Sequence, residues 1–256
     1  MSLNLLKNEH IVAFAAHPDD EGNACATLSK YSSLGAKVSI VWLTLGDRFV
    51  TPVRQFSHLL PSLLKSFISE KSRLKLSKTI SNIRFHEALN SARLINATPH
   101  FLQFKDSHIP HFSDRSALLK ITDLLRAIKP TIILTHYYRA LHPDHRATSY
   151  LITRSFLLAN NPKFHSSYSH SNIRLLAFWF EPTPHFRPNF LIEASNHLNY
   201  FNLWNKSYPS QSSRLVGRFV KLKYHIFAKN SPYIYAEPFI IFKKSFNSTY
   251  GKFFPL

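Results

Sequence analysis

The sequence predicts an α/β fold: a Rossmann-like, doubly wound and mostly parallel sheet over about residues 8–160, then a smaller C-terminal α+β extension over about 161–245. Three observations support it. Apolar runs such as Ile11–Ala16 (IVAFAA) and Thr131–His136 (TIILTH) show no polar alternation, as expected of strands buried on both faces. Such runs alternate with stretches of helical spacing, which implies strand–helix–strand units. The two runs also enter loops rich in ionisable residues, and ligands in open α/β sheets collect at the carboxyl ends of strands.

Taken in order, Ile11–Ala16 is the first strand. Gly22 to Leu34 has helix-compatible spacing, with Ala26, Leu28 and Tyr31 among small polar residues, and Gly35 supplies a stop. Lys37–Thr44 (KVSIVWLT) follows as the second strand. The right-handed crossover of such a unit puts the loops after Ala16 and Thr44 on one sheet edge. Residues 48–80 are basic, with Leu60, Leu63, Leu64 and Phe67 at helical spacing, which suits a lid, an interfacial helix or an ordinary amphipathic helix packed on the core. Ile83–Ile95 reads as a helix and His100–Phe104 as a strand. Ser113 and Asp114 can cap a helix Arg115–Ile128 that Pro130 ends. Strand Thr131–His136 and helix Arg146–Ala159 complete the alternating part. Beyond it come a strand Arg174–Phe180, a turn at 181–184, a short strand Asn189–Glu193, and a helix from a Ser195 cap toward Tyr208. A basic helix Ser213–Ala228, with Leu215, Phe219 and Leu222 on one face, leads to a last strand Tyr233–Phe242.

At 256 residues the chain can bury one large core, and a single domain over 1–256 is expected. No apolar run approaches the ~18 residues of a membrane span, and the first ten residues lack the h-region of a secretory signal. The cytoplasm is therefore the expected compartment, with a peripheral place at the inner membrane face left open. The lone Cys25 sits among Ala24, Ala26 and Leu28 as a packed residue and permits no internal disulfide. Lysine and arginine number 32 against 14 acids, a net charge of +18 that attracts polyanions. Nucleic acid, anionic lipid and an acidic or phosphorylated glycan all meet that description. The aromatic residues lack the clustering of a base-stacking platform, so nucleic acid is not favoured. Five glycines argue against a glycine-rich phosphate loop, and no dinucleotide or P-loop fingerprint is present.

Two loops carry the chemistry. The first is His17-Pro18-Asp19-Asp20-Glu21, in which proline fixes the backbone so that imidazole and carboxylate can converge. Taken alone, the three acids also suit the first turn of the following helix, where the dipole favours them. The second loop, after Thr131–His136, delivers His142-Pro143-Asp144-His145. Two strand ends that both present His and Asp beside Pro are hard to explain as solvated turns. Two histidines and one carboxylate from these groups would suit zinc with an open water position, or ferrous iron.

AHPDDE at 16–21 and HPDH at 142–145 resemble the LmbE-like/PIG-L family of zinc-dependent N-acetylglucosamine deacetylases. The stretch Arg84–Asp106 is similar to the family's R-x-x-E helix, strand and closing aspartate, and KSYPSQ at 206–211 and YAEPF at 235–239 are lesser matches. The resemblance covers about residues 10–242 and thins between 48 and 80. It implies His17, Asp20 and His145 as ligands of Zn2+, with Fe2+ also compatible, Asp19 as general base, and His142 as the group that holds the oxyanion. Spacing by itself does not tell Asp19 from Asp20. Asp144 is expected to keep His142 protonated, as a neighbouring carboxylate does. Arg84 is expected to meet a sugar hydroxyl or phosphate, with Asp106 and Asp47 as further substrate contacts, although Arg84 could instead pair with Glu87 across a helix turn. The lead-in Tyr137–Leu141 departs from the family's polar or glycine-containing one, so Tyr138 or Arg139 is expected to touch substrate there.

The activity implied is removal of an N-acetyl or N-acyl group from an N-acetylglucosamine-containing glycoconjugate. Basic segments with apolar stripes at 48–78 and 214–229 suggest contact with an anionic membrane surface and hence a lipid-linked or envelope-related substrate. Two other classes use the same residues: a non-haem iron enzyme, and a basic polyanion-binding protein that kept the fold without the activity. Asp19 and His142 argue against the last, because a binder needs neither a base nor an oxyanion donor.

Overall fold

The computed structural model describes residues 8–47, 70–211 and 214–244. The segment holding Leu60, Leu63, Leu64 and Phe67 lies outside these residues. Strand β1 (His10–Ala15) pairs in parallel with β2 (Lys37–Trp42) on one side and β4 (Ile132–Thr135) on the other. β2 continues to β3 (Thr98–Phe101), and β4 to β5 (Leu175–Trp179), all parallel. β7 (Ala236–Lys244) then joins β5 antiparallel and carries β6 (Phe190–Glu193) on its far side. The sheet order is β3-β2-β1-β4-β5-β7-β6, so the C-terminal strands extend the same mostly parallel sheet.

The unalternating runs are buried on both faces. In β1, Ile11, Ala13 and Ala15 pack into one apolar cluster while Val12 and Phe14 pack into another. The first cluster is covered by α1 (Cys25–Ser33) through Leu28 and Tyr31, and by α2 (Glu70–Leu94) through Ala88 and Ala92. The second lies under α3 (Arg115–Ile128) and α4 (Pro143–Ala159), whose Leu118, Ile121 and Leu125 meet Leu151, Ile152 and Phe156. α5 (Leu198–Ser207) and α6 (Arg214–Ala228) add a small cluster of Phe201, Val220 and Tyr224 around Cys25.

Several element ends differ from the sequence reading, each for a local reason. The first crossover opens as a 3-10 turn, Asp20–Ala24, before α1 begins, because Asp19 adopts φ +105 and turns the chain sharply. β3 ends at Phe101, and Gln103 at φ +56 prevents its continuation to Phe104. α4 begins at Pro143 with His142 as its N-cap, proline being suited to the first helical position. Ser195 does not cap α5: it opens the 3-10 turn Ser195–His197, and its N–H donates to Glu193 Oε1 at 2.6 Å. Asp114 caps α3, accepting from Ala117 N–H at 2.9 Å.

This topology positions the site. From β1 the chain moves outward to β2 and β3, then returns to the other side of β1 as β4 and β5. The carboxyl ends of β1 and β4 flank that switch point, where an open sheet leaves a crevice. The loops bearing His17 and His145 leave from those two ends.

Candidate active site

His17 and His145 approach the Asp20 carboxylate from two sides. Asp20 Oδ2 is 3.2 Å from His17 Nδ1, and Asp20 Oδ1 is 3.2 Å from His145 Nε2. The far nitrogen of each ring rests on another carboxylate. His17 Nε2 lies 3.1 Å from Asp144 Oδ2 and 3.4 Å from Asp106 Oδ1, while His145 Nδ1 lies 3.0 Å from Glu181 Oε1. A carboxylate behind each imidazole fixes ring and tautomer and is the usual second layer of a metal-binding histidine.

Among the described residues, three groupings bring His, Asp or Glu donor atoms within 4.8 Å of one another: His17-Asp20-His145, His17-His142-Asp144 and His136-His145-Glu181. Hydrogen bonding separates them. His136 Nε2 accepts from Ala16 N–H at 3.0 Å, so its proton is on Nδ1 and goes to Glu181 Oε1 at 2.6 Å; neither nitrogen is free for a cation. His142 Nδ1 accepts from Asp144 N–H at 3.2 Å, and the Asp144 carboxylate takes the Ser107 N–H at 2.8 Å. In the first grouping alone do both histidines offer one nitrogen to a shared point with the other held by a carboxylate. That donor set fits a divalent ion with an open position.

The charge balance agrees. Burial works against protonating His17, yet Asp106, Asp144 and Asp20 raise its imidazole well above the ordinary range. Burial likewise opposes a charge on His145, but Asp20 and Glu181 lift it to about 10. Glu181 would rise on burial, and the ring N–H groups of His136 and His145 instead hold it at about 2. A site that draws protons onto two imidazoles has an excess of negative charge for a cation to neutralise.

Asp19 is different in kind. Its side chain keeps 31% of its surface accessible, and desolvation lifts its carboxyl to about 7 against the pull of Arg84. The positive φ is a strained conformation for an aspartate, held by its surroundings. Arg84 Nη2 donates to Asp19 Oδ1 at 2.7 Å and also to the Pro18 carbonyl, while Nη1 donates to the Gly46 carbonyl at 3.0 Å. Gly46 permits this at φ +59, where a Cβ would run into the guanidinium. Arg84 thus meets Asp19, and Glu87 accepts from the Ser210 N–H and hydroxyl instead.

Glu21, beside these groups in sequence, is a buried anchor. It accepts from Trp42, Ser91, Trp204 and Tyr208, and so ties α5 and the 208–211 turn to the first loop. Asp47 accepts from the Ser77 hydroxyl of α2. Tyr138 packs against Tyr137 and Phe178 with the Arg139 guanidinium over its ring, and neither lines the cavity described below. The expectation that Asp144 holds His142 protonated is not met: burial, with His145 and His17 nearby, lowers the His142 pKa.

Asp19, Asp20, His142, His145 and Glu181 open onto a cavity of about 570 Å³ walled by residues that include Phe180, Phe201 and Trp204. The model of the GlcNAc-PI de-N-acetylase family, PIG-L, matches residues 12–156, more than half of the chain and both motif loops. The chain belongs to the PIG-L family. Among curated relatives, the 1D-myo-inositol 2-acetamido-2-deoxy-alpha-D-glucopyranoside deacetylase of Thermomonospora curvata is 26% identical over 178 residues, 60% of this chain and 54% of the relative. A Streptomyces scabiei protein of the same description is 25% identical, over 58% and 48%. This PIG-L member therefore spans about half the length of the curated relatives it matches.

Solved structures share the fold. The N,N'-diacetylchitobiose deacetylase of Pyrococcus horikoshii superposes with a TM-score of 0.73 at 21% identity, over 94% of this chain and 86% of that one. The 4-carboxy-2-hydroxymuconate hydratase of Pseudomonas putida gives 0.72 at 15% identity, over 94% and 99%. Since a deacetylase and a hydratase share one scaffold, the reaction must be argued from the site. Two of its groups escaped the sequence reading, His136 and Glu181. Both follow a buried apolar strand, the same signal that exposes His17, but in the sequence His136 reads as the end of its strand and Glu181 as part of a Pro-rich turn.

Proposed function

We propose that this PIG-L member is a metal-dependent deacetylase that releases acetate from N-acetylglucosamine-containing substrates. The observation carrying this reading is the set His17-Asp20-His145, each histidine backed by a carboxylate, beside a separate Asp19 held by Arg84. The activities of the similar proteins supply the substrate class. His17, Asp20 and His145 would hold zinc, or ferrous iron. When bound, such an ion supplies a Lewis acid beside which water ionises near neutral pH.

The chain's own groups do the rest. Asp19, with a carboxyl poised near 7, takes the proton of the attacking water; a base works best when its pKa lies near the operating pH. The water oxygen bonds to the acetyl carbon, the C–N bond breaks, and the proton on Asp19 is available to the departing amine. His142, neutral with Nδ1 accepting from Asp144 N–H, carries its proton on Nε2 and can donate it to the developing oxyanion. Asp106 and Asp144 orient His17, Glu181 orients His145, and Arg84 keeps Asp19 aimed. Acetate release from a panel of N-acetylglucosaminyl conjugates, with zinc or iron restored to the protein, tests this. The parent should release acetate and Asp19→Asn should lose it by orders of magnitude; no release from any conjugate, or equal rates in the variant, refutes the reading.

Contact with an anionic membrane is part of the proposal. On α6, Leu222 and Ile226 stand one turn apart, each 57% exposed, among exposed Lys221, His225 and Lys229. Apolar residues flanked by bases are the composition of a helix lying in an anionic interface. Among the described residues no helix is long and apolar enough to cross a membrane.

A further inference from the structure

Lys223 lies in the wall of the same cavity, and the deacetylase mechanism has no use for it. It belongs to the buried side of α6 and is 5% exposed. Its Nζ donates to Asn23 Oδ1 at 3.2 Å and sits 4.8 Å from the ring centroids of both Phe180 and Tyr224. Among the described residues no carboxylate lies within 4 Å of it, although the site a few residues away is crowded with acids. Lys223 is also the one lysine or arginine among the described residues lining the cavity.

An ammonium has three donors, and among the described residues one hydrogen bond engages it. The two aromatic faces compensate in part. Glu237 and Glu181 attract the ammonium only from beyond ion-pair distance, so its burial is still costly, and an apolar side chain of the same length would pack here at less expense. Burial accordingly draws the amine down to about 8, where it is still mostly charged at neutral pH. The residues that hold it tie it to the reaction: Asn23 is three positions after Asp20, and Phe180 directly precedes Glu181. A substrate seated at the metal-binding groups would bring its distal part along the wall formed by Phe180, Trp204 and Val220, and an anionic group there would complete the ammonium's coordination.

We infer that Lys223 is the specificity-determining residue of this cavity, binding an anionic oxygen group, carboxylate or phosphate, on the part of the amino-sugar substrate beyond the reacting acetamide. The inference rests on the deacetylase reading for its substrate, so the test separates the two. Calorimetry on the zinc-loaded full chain measures binding of three probes: an uncharged methyl glycoside of glucosamine, a glucosamine glycoside bearing a carboxylate, and one bearing a phosphate. The parent should bind one or both anionic probes at least tenfold more tightly than the uncharged one, and which of them shows the gain identifies the group. Lys223→Met should bring all three to the uncharged level, and Lys223→Arg should keep part of the preference. Acetate release by the parent from the N-acetylated methyl glycoside reports separately on the deacetylase reading. Equal binding of all three probes by the parent overturns the inference even if acetate is released, as does an anionic preference that survives in Lys223→Met.

Discussion

The adjacent acids Asp19 and Asp20 have opposite fates set by their neighbours. Asp20 lies among the imidazoles of His17, His136 and His145; burial would raise its carboxyl, but His145 and His136 bring it well below the usual range. Asp19 faces one guanidinium across a strained turn and stays near 7. Removing each should therefore fail differently. Asp19→Asn should retain the metal, whereas His145→Ala and Asp20→Ala should lose it, as read by metal content after dialysis; equal loss in all three would reverse the assignment of the acids. Glu181→Gln leaves the ligands intact but removes the charge behind His145. Metal affinity should fall about 10–100-fold, as when other second-layer partners of metal histidines are changed, with a chelator competition as the measure. The residues that meet at the site were legible in the sequence because both loops keep their motif residues contiguous. Glu181 and His136 were not, because each is a single residue whose meaning lies in a partner distant in sequence. The separate roles of Asp144 and His142 depended on which atom faces which ring, and spacing carries no such information.

Helices and strands show the same division. Runs such as Ile11–Ala16 and Lys37–Thr44 announced buried parallel strands because their unbroken apolarity has few other uses. The ends were less legible, since Asp19 and Gln103 take positive φ that only tertiary contacts impose. Arg126 shows a further limit. A basic residue near the end of an amphipathic helix reads as solvated, yet it is 2% exposed, and its guanidinium donates to the carbonyls of Leu158, Ala159, Asn161, Phe164 and Tyr168. It thereby ties the C-terminal end of α4 to the following loop. Arg126→Met would take the side-chain donor from the Phe164 and Tyr168 carbonyls and the second donor from those of Leu158, Ala159 and Asn161, which also accept backbone N–H groups, at roughly 1–3 kcal/mol in all. Urea unfolding should show a loss of that order, while the folded fraction keeps its activity, because the site is at the other end of a 17-residue helix, about 25 Å away. A variant as stable as the parent would mean that water serves those carbonyls equally well.

At the scale of the molecule, charge is what remains to be placed, and among the described residues one lysine is buried. Lys223 is driven down from 10.5 to about 8 by desolvation, so the folded state resists protonation that the unfolded chain accepts. The resulting penalty is full below pH 8 and is relieved as pH rises from about 8 to 10.5, where the unfolded chain still binds the extra proton. Lys223→Met should accordingly be more stable than the parent at pH 7, by an amount on the order of 3 kcal/mol, and the gap should close toward pH 10.5. A gap that widens with pH, or a variant less stable at pH 7, would contradict this.

Much of the other positive charge among the described residues is on the surface, in a chain with a net charge of +18. Lysines spread over a solvated face would bind anionic vesicles weakly and without any apolar contribution. α6 offers more, because exposed Leu222 and Ile226 stand between Lys221 and Lys229 on a helix whose opposite side is fixed to the core by Val220 and Tyr224. Two basic residues at an anionic surface contribute on the order of 1 kcal/mol each, so Lys221→Ser with Lys229→Ser should weaken vesicle binding roughly tenfold or more, chiefly at low salt. Leu222→Ser with Ile226→Ser should weaken it with less dependence on salt, since apolar insertion is not screened. Both pairs should leave release of acetate from a small water-soluble glycoside unchanged, because none of the four residues lines the cavity. Sedimentation with anionic and neutral liposomes decides the matter: a parent protein that ignores anionic vesicles, or binds both kinds equally, would make α6 an ordinary solvated helix and remove the reason to expect a membrane-borne substrate.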